Sequence, residues 1–167
     1  MKQGHDMSKQ RIGFIGIGLM GHGIAKNLVT KGWPLKFRVN RNRDNIGDLM
    51  AAGAVEVQTN ADCATDTDIV FLCVTGSPQV EQIMLGENGV LQALRPGQIV
   101  VDTSTAEPES TARMRDAAAA RGAVFVDAPL TRTPKEAEEG RLNTMIGATP
   151  EVFERLRPVL EGFCENV

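Results

Sequence analysis

The sequence predicts an open, doubly wound α/β fold with a mostly parallel sheet and helices on both faces. Three observations point there. Short apolar, β-branched runs alternate with stretches of helical periodicity along the whole chain. Two of the runs, residues 69–74 and 99–101, are continuously apolar, as strands buried on both faces must be. The first run, Ile12-Gly13-Phe14-Ile15, feeds directly into Gly16-Ile17-Gly18-Leu19-Met20-Gly21 and then into Ile24, Ala25, Leu28 and Val29 at helical spacing.

The elements follow in order. Gly32-Trp33-Pro34 breaks the first helix, and residues 35–39 alternate as a second strand. A helix is expected over 44–52, stopped by Gly53, and a short third strand over 55–57. Asp66-Thr67-Asp68 leads into the strand 69–74. Ser77-Pro78 opens a helix with Ser77 as N-cap and Pro78 in the first position. Gly97 precedes the strand 99–101, and Glu107-Pro108 opens an Ala- and Arg-rich helix that ends near Gly122. Residues 123–126 and 143–146 read as further strands, and 150–160 as a last amphipathic helix. Residues 1–10 are polar and read as a flexible leader with Met7 as a second start, which leaves 11–167 as one domain.

Composition excludes several classes. The net charge of -3 provides no basic field for nucleic acid, and no apolar run is long enough for a membrane span. With 42% hydrophobic and 23% charged residues, the chain is an ordinary globular one. Cys63, Cys73 and Cys164 match no metal or redox spacing, which suits a reducing, cytoplasmic setting, with Cys73 in the core.

The glycine pattern stands in the context that a dinucleotide pyrophosphate requires: strand, tight turn, helix. Gly16 permits the turn, Gly18 lets the backbone approach the phosphates, and Gly21 lets the helix pack near the strand. Helix N–H groups and the positive helix end then meet the anion. In such sheets the ligand lies beyond the carboxyl ends of the strands. The acid that usually holds an NAD ribose is replaced by uncharged Asn40, followed by Arg41 and Arg43, while Asp44 is too far along to substitute. Guanidinium groups there suit a 2′-phosphate, so NADP is favoured and NAD stays open; the alternative is that they coat a helix start. Val74-Thr75-Gly76-Ser77 either lies along the adenosine or simply starts a helix. The hydroxyls of Thr103, Ser104 and Thr105 either bond the nicotinamide ribose or a substrate, or cap the next helix. Asp127-Ala128-Pro129-Leu130-Thr131-Arg132-Thr133-Pro134 is either a cradle for an anionic substrate or a polar surface loop. His22 reads as a solvated surface residue or a cofactor neighbour, His5 as idle, and residues 135–141 as a solvated helical turn.

Taken together, Gly13–Gly21, Ala25-Lys26-Asn27-Leu28, Asn40-Arg41, Val101-Asp102-Thr103-Ser104-Thr105 with Pro108, and Phe125-Val126-Asp127-Ala128-Pro129 resemble the β-hydroxyacid dehydrogenase family. That family includes the 3-hydroxyisobutyrate and 6-phosphogluconate dehydrogenases. The resemblance implies a Rossmann-like domain in which Gly16, Ile17, Gly18, Leu19, Met20 and Gly21 hold the pyrophosphate, and Asn40 and Arg41 the adenosine ribose or its phosphate. Val74 and Thr75 would lie along the cofactor and Thr105 near the nicotinamide. It further implies hydride transfer to or from a small 3-hydroxy acid or semialdehyde by a homo-oligomeric full-length enzyme. The family's substrate loop usually reads Val-Ser-Gly-Gly after Asp-Ala-Pro. Here Thr131 keeps the hydroxyl and takes the catalytic position, while Arg132 replaces a glycine and, with Thr131 and Thr133, forms the expected substrate contact. An Arg-Thr pair is similar to that of sulfolactaldehyde reductase-like members and suggests a substrate with a strong or second anionic group, such as a sulfonate or dicarboxylate. The family's proton-donating Lys lies on a helical domain after the cofactor domain, and no lysine of this chain matches it, so little turnover is expected from these residues alone. Alternatives are a non-catalytic dinucleotide-binding module and an imine reductase.

Overall fold

The computed structural model describes residues 9–41 and 43–167; the leader up to Ser8 lies outside the described residues. The elements run β1 (Ile12–Ile15), α1 (Leu19–Thr30), β2 (Leu35–Arg38), α2 (Gly47–Ala51), β3 (Val55–Glu56), α3 (Asn60–Ala64), β4 (Ile69–Leu72), α4 (Ser77–Leu85) and α5 (Val90–Ala93). They continue with β5 (Ile99–Asp102), α6 (Pro108–Ala119), β6 (Val124–Asp127), β7 (Leu130–Thr131), α7 (Pro134–Glu139), β8 (Leu142–Thr144), α8 (Pro150–Leu160) and β9 (Cys164–Asn166).

The six-stranded sheet has the order β3-β2-β1-β4-β5-β6, with every pair parallel. Strand order reverses beside β1, which places a crevice between the ends of β1 and β4. Side chains alternate between two cores. Ile12, Phe14, Ile69, Phe71 and Val101 face the side covered by α1, α2, α7 and α8. Ile15, Val70, Leu72 and Val100 face the side of α3, α4, α5 and α6. Phe71 is the aromatic centre of the first core, stacked on Phe14 at 6.0 Å and meeting the edge of Phe163 at 5.8 Å.

Several expectations need correction. A second, three-stranded sheet (β7-β8-β9) stands apart from the first, with β7 antiparallel and β9 parallel to β8. Its strands have only two or three residues, too short for a period to register. The same brevity hid α3 and α5. Helix α2 starts at Gly47 rather than at residue 44, and the predicted strand 143–146 is β8, one residue earlier. Gly76, not Ser77, is the N-cap of α4; the Ser77 hydroxyl instead accepts the Glu107 N–H at 2.7 Å and ties α4 to the start of α6. Cys73 is only partly buried. Among the described residues, no helix is long and apolar enough to cross a membrane.

The stretch 135–141 is not merely solvated. It forms α7, whose buried Ala137 packs on α1. A Cβ on Gly23 would lie 2.5 Å from the Ala137 carbonyl carbon. The Asn27 amide spans the two helices, donating to Gly23 O at 2.8 Å, Ala137 O at 3.0 Å and Glu138 O at 3.1 Å. It thereby satisfies carbonyls that a six-residue helix leaves open at its end. Gly23→Ala is expected to push α7 off α1 and to cost roughly 1–3 kcal/mol, as overpacking of a tight contact does; chemical denaturation measures it, and an unchanged midpoint would show that this contact is loose.

Candidate functional site

The site is built at the carboxyl ends of the parallel strands. β1 ends at Ile15, and Gly16 turns the chain at φ 106°, a left-handed value that glycine tolerates. A Cβ on Gly16 would overlap the Cys73 carbonyl oxygen, and one on Gly21 would overlap the Gly16 carbonyl oxygen. Both glycines are therefore demanded by the protein's own packing. Gly18 is different: nothing lies within 4 Å of where its Cβ would be, and its φ of -101° is open to any residue. Gly18 is also the N-cap of α1, with no side-chain cap and no acidic residue in the first turn. The first intrahelical bond runs from His22 N–H to Gly18 O, so the N–H groups of Leu19, Met20 and Gly21 are left for an outside acceptor. This is the geometry of an anion cradle.

Two cavities flank the turn. One of about 400 Å³ lies between β2 and α4, lined by Gly16, Asn40, Val74 and Gln82 and also by Arg38 and Asn60. The other, of about 340 Å³, lies between Gly18, Leu19, His22, Ile46, Pro134 and Glu138. The first brings Gly16, Asn40 and Val74 to one cavity. Arg41 is exposed beside it and makes no ion pair among the described residues, whereas Arg43 is held by Glu56 through two bonds of 2.6 and 2.8 Å. Thr75 and Thr105 are exposed at the ends of their strands. Thr103 and Ser104 are buried and do not cap α6, whose N-cap is Glu107. The Thr103 hydroxyl donates to Leu72 O at 2.7 Å, and the Ser104 hydroxyl accepts the Val74 N–H at 3.0 Å, which fixes the end of β4. Beside them Asp102 is fully buried. One oxygen accepts the Ser104 N–H at 2.9 Å and Oδ2 has no partner among the described residues; burial raises its pKa.

The segment after Pro129 is ordered by secondary structure. Thr131 is exposed in β7, opposite Asn143. Thr133 starts α7, with its N–H donating to Glu136 Oε2 at 3.0 Å and its hydroxyl donating to the same oxygen. Arg132 adopts φ 83°, and its guanidinium is engaged by Glu165 and by Arg141 O at 2.6 Å. Its charge is thus spoken for within the domain. Since φ 83° suits only glycine without strain, Arg132→Gly is expected to be more stable than Arg132→Ala by about 1 kcal/mol, although both lose the same ion pair. Equal melting temperatures for the two variants would contradict this.

His22 is the principal surprise. It is not a solvated surface residue: its side chain is 15% exposed, with Nδ1 2.5 Å from Glu138 Oε1 and Nε2 3.0 Å from Asp48 Oδ1. Lys26 completes the cluster, 3.1 Å from Glu138 and 3.8 Å from Asp48. A neutral imidazole has one N–H, so two carboxylate partners call for the imidazolium. Burial pushes its pKa down, but hydrogen bonds to Asp48 and Glu138 outweigh that and raise it above the ordinary histidine value. The partners lie more than 20 and 110 residues away in sequence, beyond any local signal. Because the folded-state pKa is raised, the histidine's contribution is complete below about pH 6.5 and fades as pH rises through the folded value. The carboxylates, whose pKa values are lowered, require a pH above about 4.3. The melting-temperature gap between wild type and His22→Gln is therefore expected to be widest between those limits and to close on the alkaline side; a gap independent of pH would refute the imidazolium.

With this geometry in hand, the comparisons decide the family. Residues 11–167 match the NAD binding domain of 6-phosphogluconate dehydrogenase. The chain belongs to that family. Its homologues are 3-hydroxyisobutyrate dehydrogenase-like β-hydroxyacid dehydrogenases. The chain is 39% identical to 2-(hydroxymethyl)glutarate dehydrogenase of Eubacterium barkeri, covering 94% of this chain and 52% of that one. It is 36% identical to 2-hydroxy-3-oxopropionate reductase of Escherichia coli (strain K12), covering 94% and 53%. The solved structure of Psf3 in complex with NADP+ and 2-OPP superposes with a TM-score of 0.85 at 33% identity, over 93% of this chain and 55% of that one. This dinucleotide-binding domain spans about half the length of the curated relatives it matches.

Proposed function

We propose that the domain binds NADP across the carboxyl ends of β1, β2, β4 and β5 and forms the cofactor half of an oxidoreductase. That enzyme interconverts a small anionic hydroxy acid and its aldehyde or keto form. The observation that carries the reading is Gly18. Neighbouring glycines are explained by internal packing, but Gly18 has open space around its missing side chain and stands beside three unused helix N–H groups. A pyrophosphate against that backbone is what excludes a side chain there.

Roles for the other residues follow from their places. Asn40 and Arg41 hold the adenosine ribose and its 2′-phosphate at the end of β2. Val74 and Thr75 flank the cofactor and Thr105 approaches its nicotinamide end. When bound, the cofactor supplies or accepts a hydride. On the substrate side, exposed Thr131 offers a hydroxyl to the substrate oxygen, and Arg132 adds its charge by exchanging Glu165 for a substrate anion; Thr133 fixes the start of α7 beside them. Relatives that are named for hydroxy-acid or oxo-acid chemistry, and a similar structure holding NADP+, support the substrate class and the cofactor. Cys63, Cys73 and Cys164, at spacings that match no metal or redox motif, suit a reducing, cytoplasmic setting.

Isothermal titration with NADP+ and NAD+ tests the reading. Wild type is expected to bind NADP+ more tightly. Gly18→Ala is expected to lose at least about tenfold in affinity, or about 1.4 kcal/mol, with an unchanged melting temperature, since its Cβ meets no protein atom. Failure of wild type to bind either nucleotide, or full affinity in Gly18→Ala, would refute it.

A further inference from the structure

Three arginines surround the end of β2, and the structure gives each a different state. Arg43 is neutralised by its paired bonds to Glu56 on β3. Arg41 is exposed and, among the described residues, unpaired. Arg38 is half-buried on the strand itself. Its Nε donates to Gln58 O at 3.0 Å and its Nη1 to Asn60 Oδ1 at 3.4 Å, and Nη2 has no partner among the described residues. Arg38 and Asn40 are two residues apart, which puts both on one face of the strand direction. Both line the cavity of about 400 Å³ whose other walls include Val74, Gln82 and the exposed carboxylate Glu87.

We propose that Arg38 is a cofactor-discriminating residue: its guanidinium, fixed on the wall of the adenosine cavity, reads the 2′-phosphate together with Arg41, while Glu56 withholds Arg43 from it. The inference rests on the dinucleotide reading above and adds a residue to it. Neutral acceptors hold Arg38, so its guanidinium faces the cavity without a bonded carboxylate among the described residues. A guanidinium held by two bonds loses little freedom on meeting a phosphate, and its remaining N–H groups form charge-assisted bonds. An exposed arginine such as Arg41 must be ordered first. The uncharged 2′-hydroxyl of NAD gains little from either.

The test titrates the full chain with NADP+, NAD+, 2′,5′-ADP and 5′-AMP. Arg38→Met is expected to weaken NADP+ and 2′,5′-ADP by at least about tenfold, the loss of one charge-assisted contact. NAD+ and 5′-AMP should stay within about twofold. The NADP+ affinity should also become less sensitive to salt. Arg38→Lys, which keeps the charge without the fork, is expected to fall between wild type and Arg38→Met and guards against a folding defect in the latter. Arg43→Ala should change none of the four affinities. Equal losses for phosphorylated and unphosphorylated ligands, or no loss at all, would overturn the inference while leaving dinucleotide binding standing. Wild type that binds no nucleotide would overturn the dinucleotide reading and this inference with it.

Discussion

The close approach of β1, α1 and β4 around a backbone without side chains is the constraint on which the rest depends. β1 ends at Ile15 and α1 begins at Leu19, so three residues must reverse the chain and deliver a helix end to the strand terminus. Gly16 can do this because its left-handed φ is available and because the Cys73 carbonyl lies where a Cβ would go. Gly21 then lets α1 settle against the Gly16 carbonyl. Any side chain at either place would lift the helix, and the N–H groups at its first turn would no longer point into the crevice beside β4. The Ser104 hydroxyl on the Val74 N–H fixes the opposite wall of that crevice.

A second contact carries this geometry to the segment after Pro129. Helix α1 presents Gly23 and Asn27 to α7, and His22 with Lys26 binds Glu138 from the same helix. The loop that bears Thr131 and Arg132 is therefore indexed to the glycine turn rather than tethered only by β6. Asp48 joins the same cluster from α2, so the segment after Arg41 is indexed as well. One helix thus positions the glycine turn, the segment after β2 and the loop after Pro129 relative to one another.

The large elements were legible because their signals are local. A glycine turn, buried β-branched runs and an amphipathic last helix each declare themselves within a dozen residues, and α8 falls on its expected bounds. The second sheet was not legible, because β7 has two residues and its pairing with β8 is a tertiary fact. At the site, Gly16 to Gly21, Asn40 and Val74 stood out by motif and strand end. Arg38 reads from the alternating strand pattern as a solvent-facing residue, whereas in the fold it lines a cavity. For His22 the sequence leaves a solvated position or a cofactor neighbour open, because both carboxylates that hold it come from distant segments. Arg41 and Arg43 are equivalent in sequence, and only Glu56, on a neighbouring strand, distinguishes them by engaging Arg43.

The central claim is that the uncapped first turn of α1 receives a dinucleotide's pyrophosphate. Backbone amide chemical shifts followed by nuclear magnetic resonance during titration with NADP+ test it most directly. The account predicts the largest changes at Leu19, Met20 and Gly21, with a second group at Asn40, Arg41 and Val74. Changes confined to the amino ends of the strands, around Trp33 and Arg155, or amides of Leu19 to Gly21 that do not move on saturation, would contradict it.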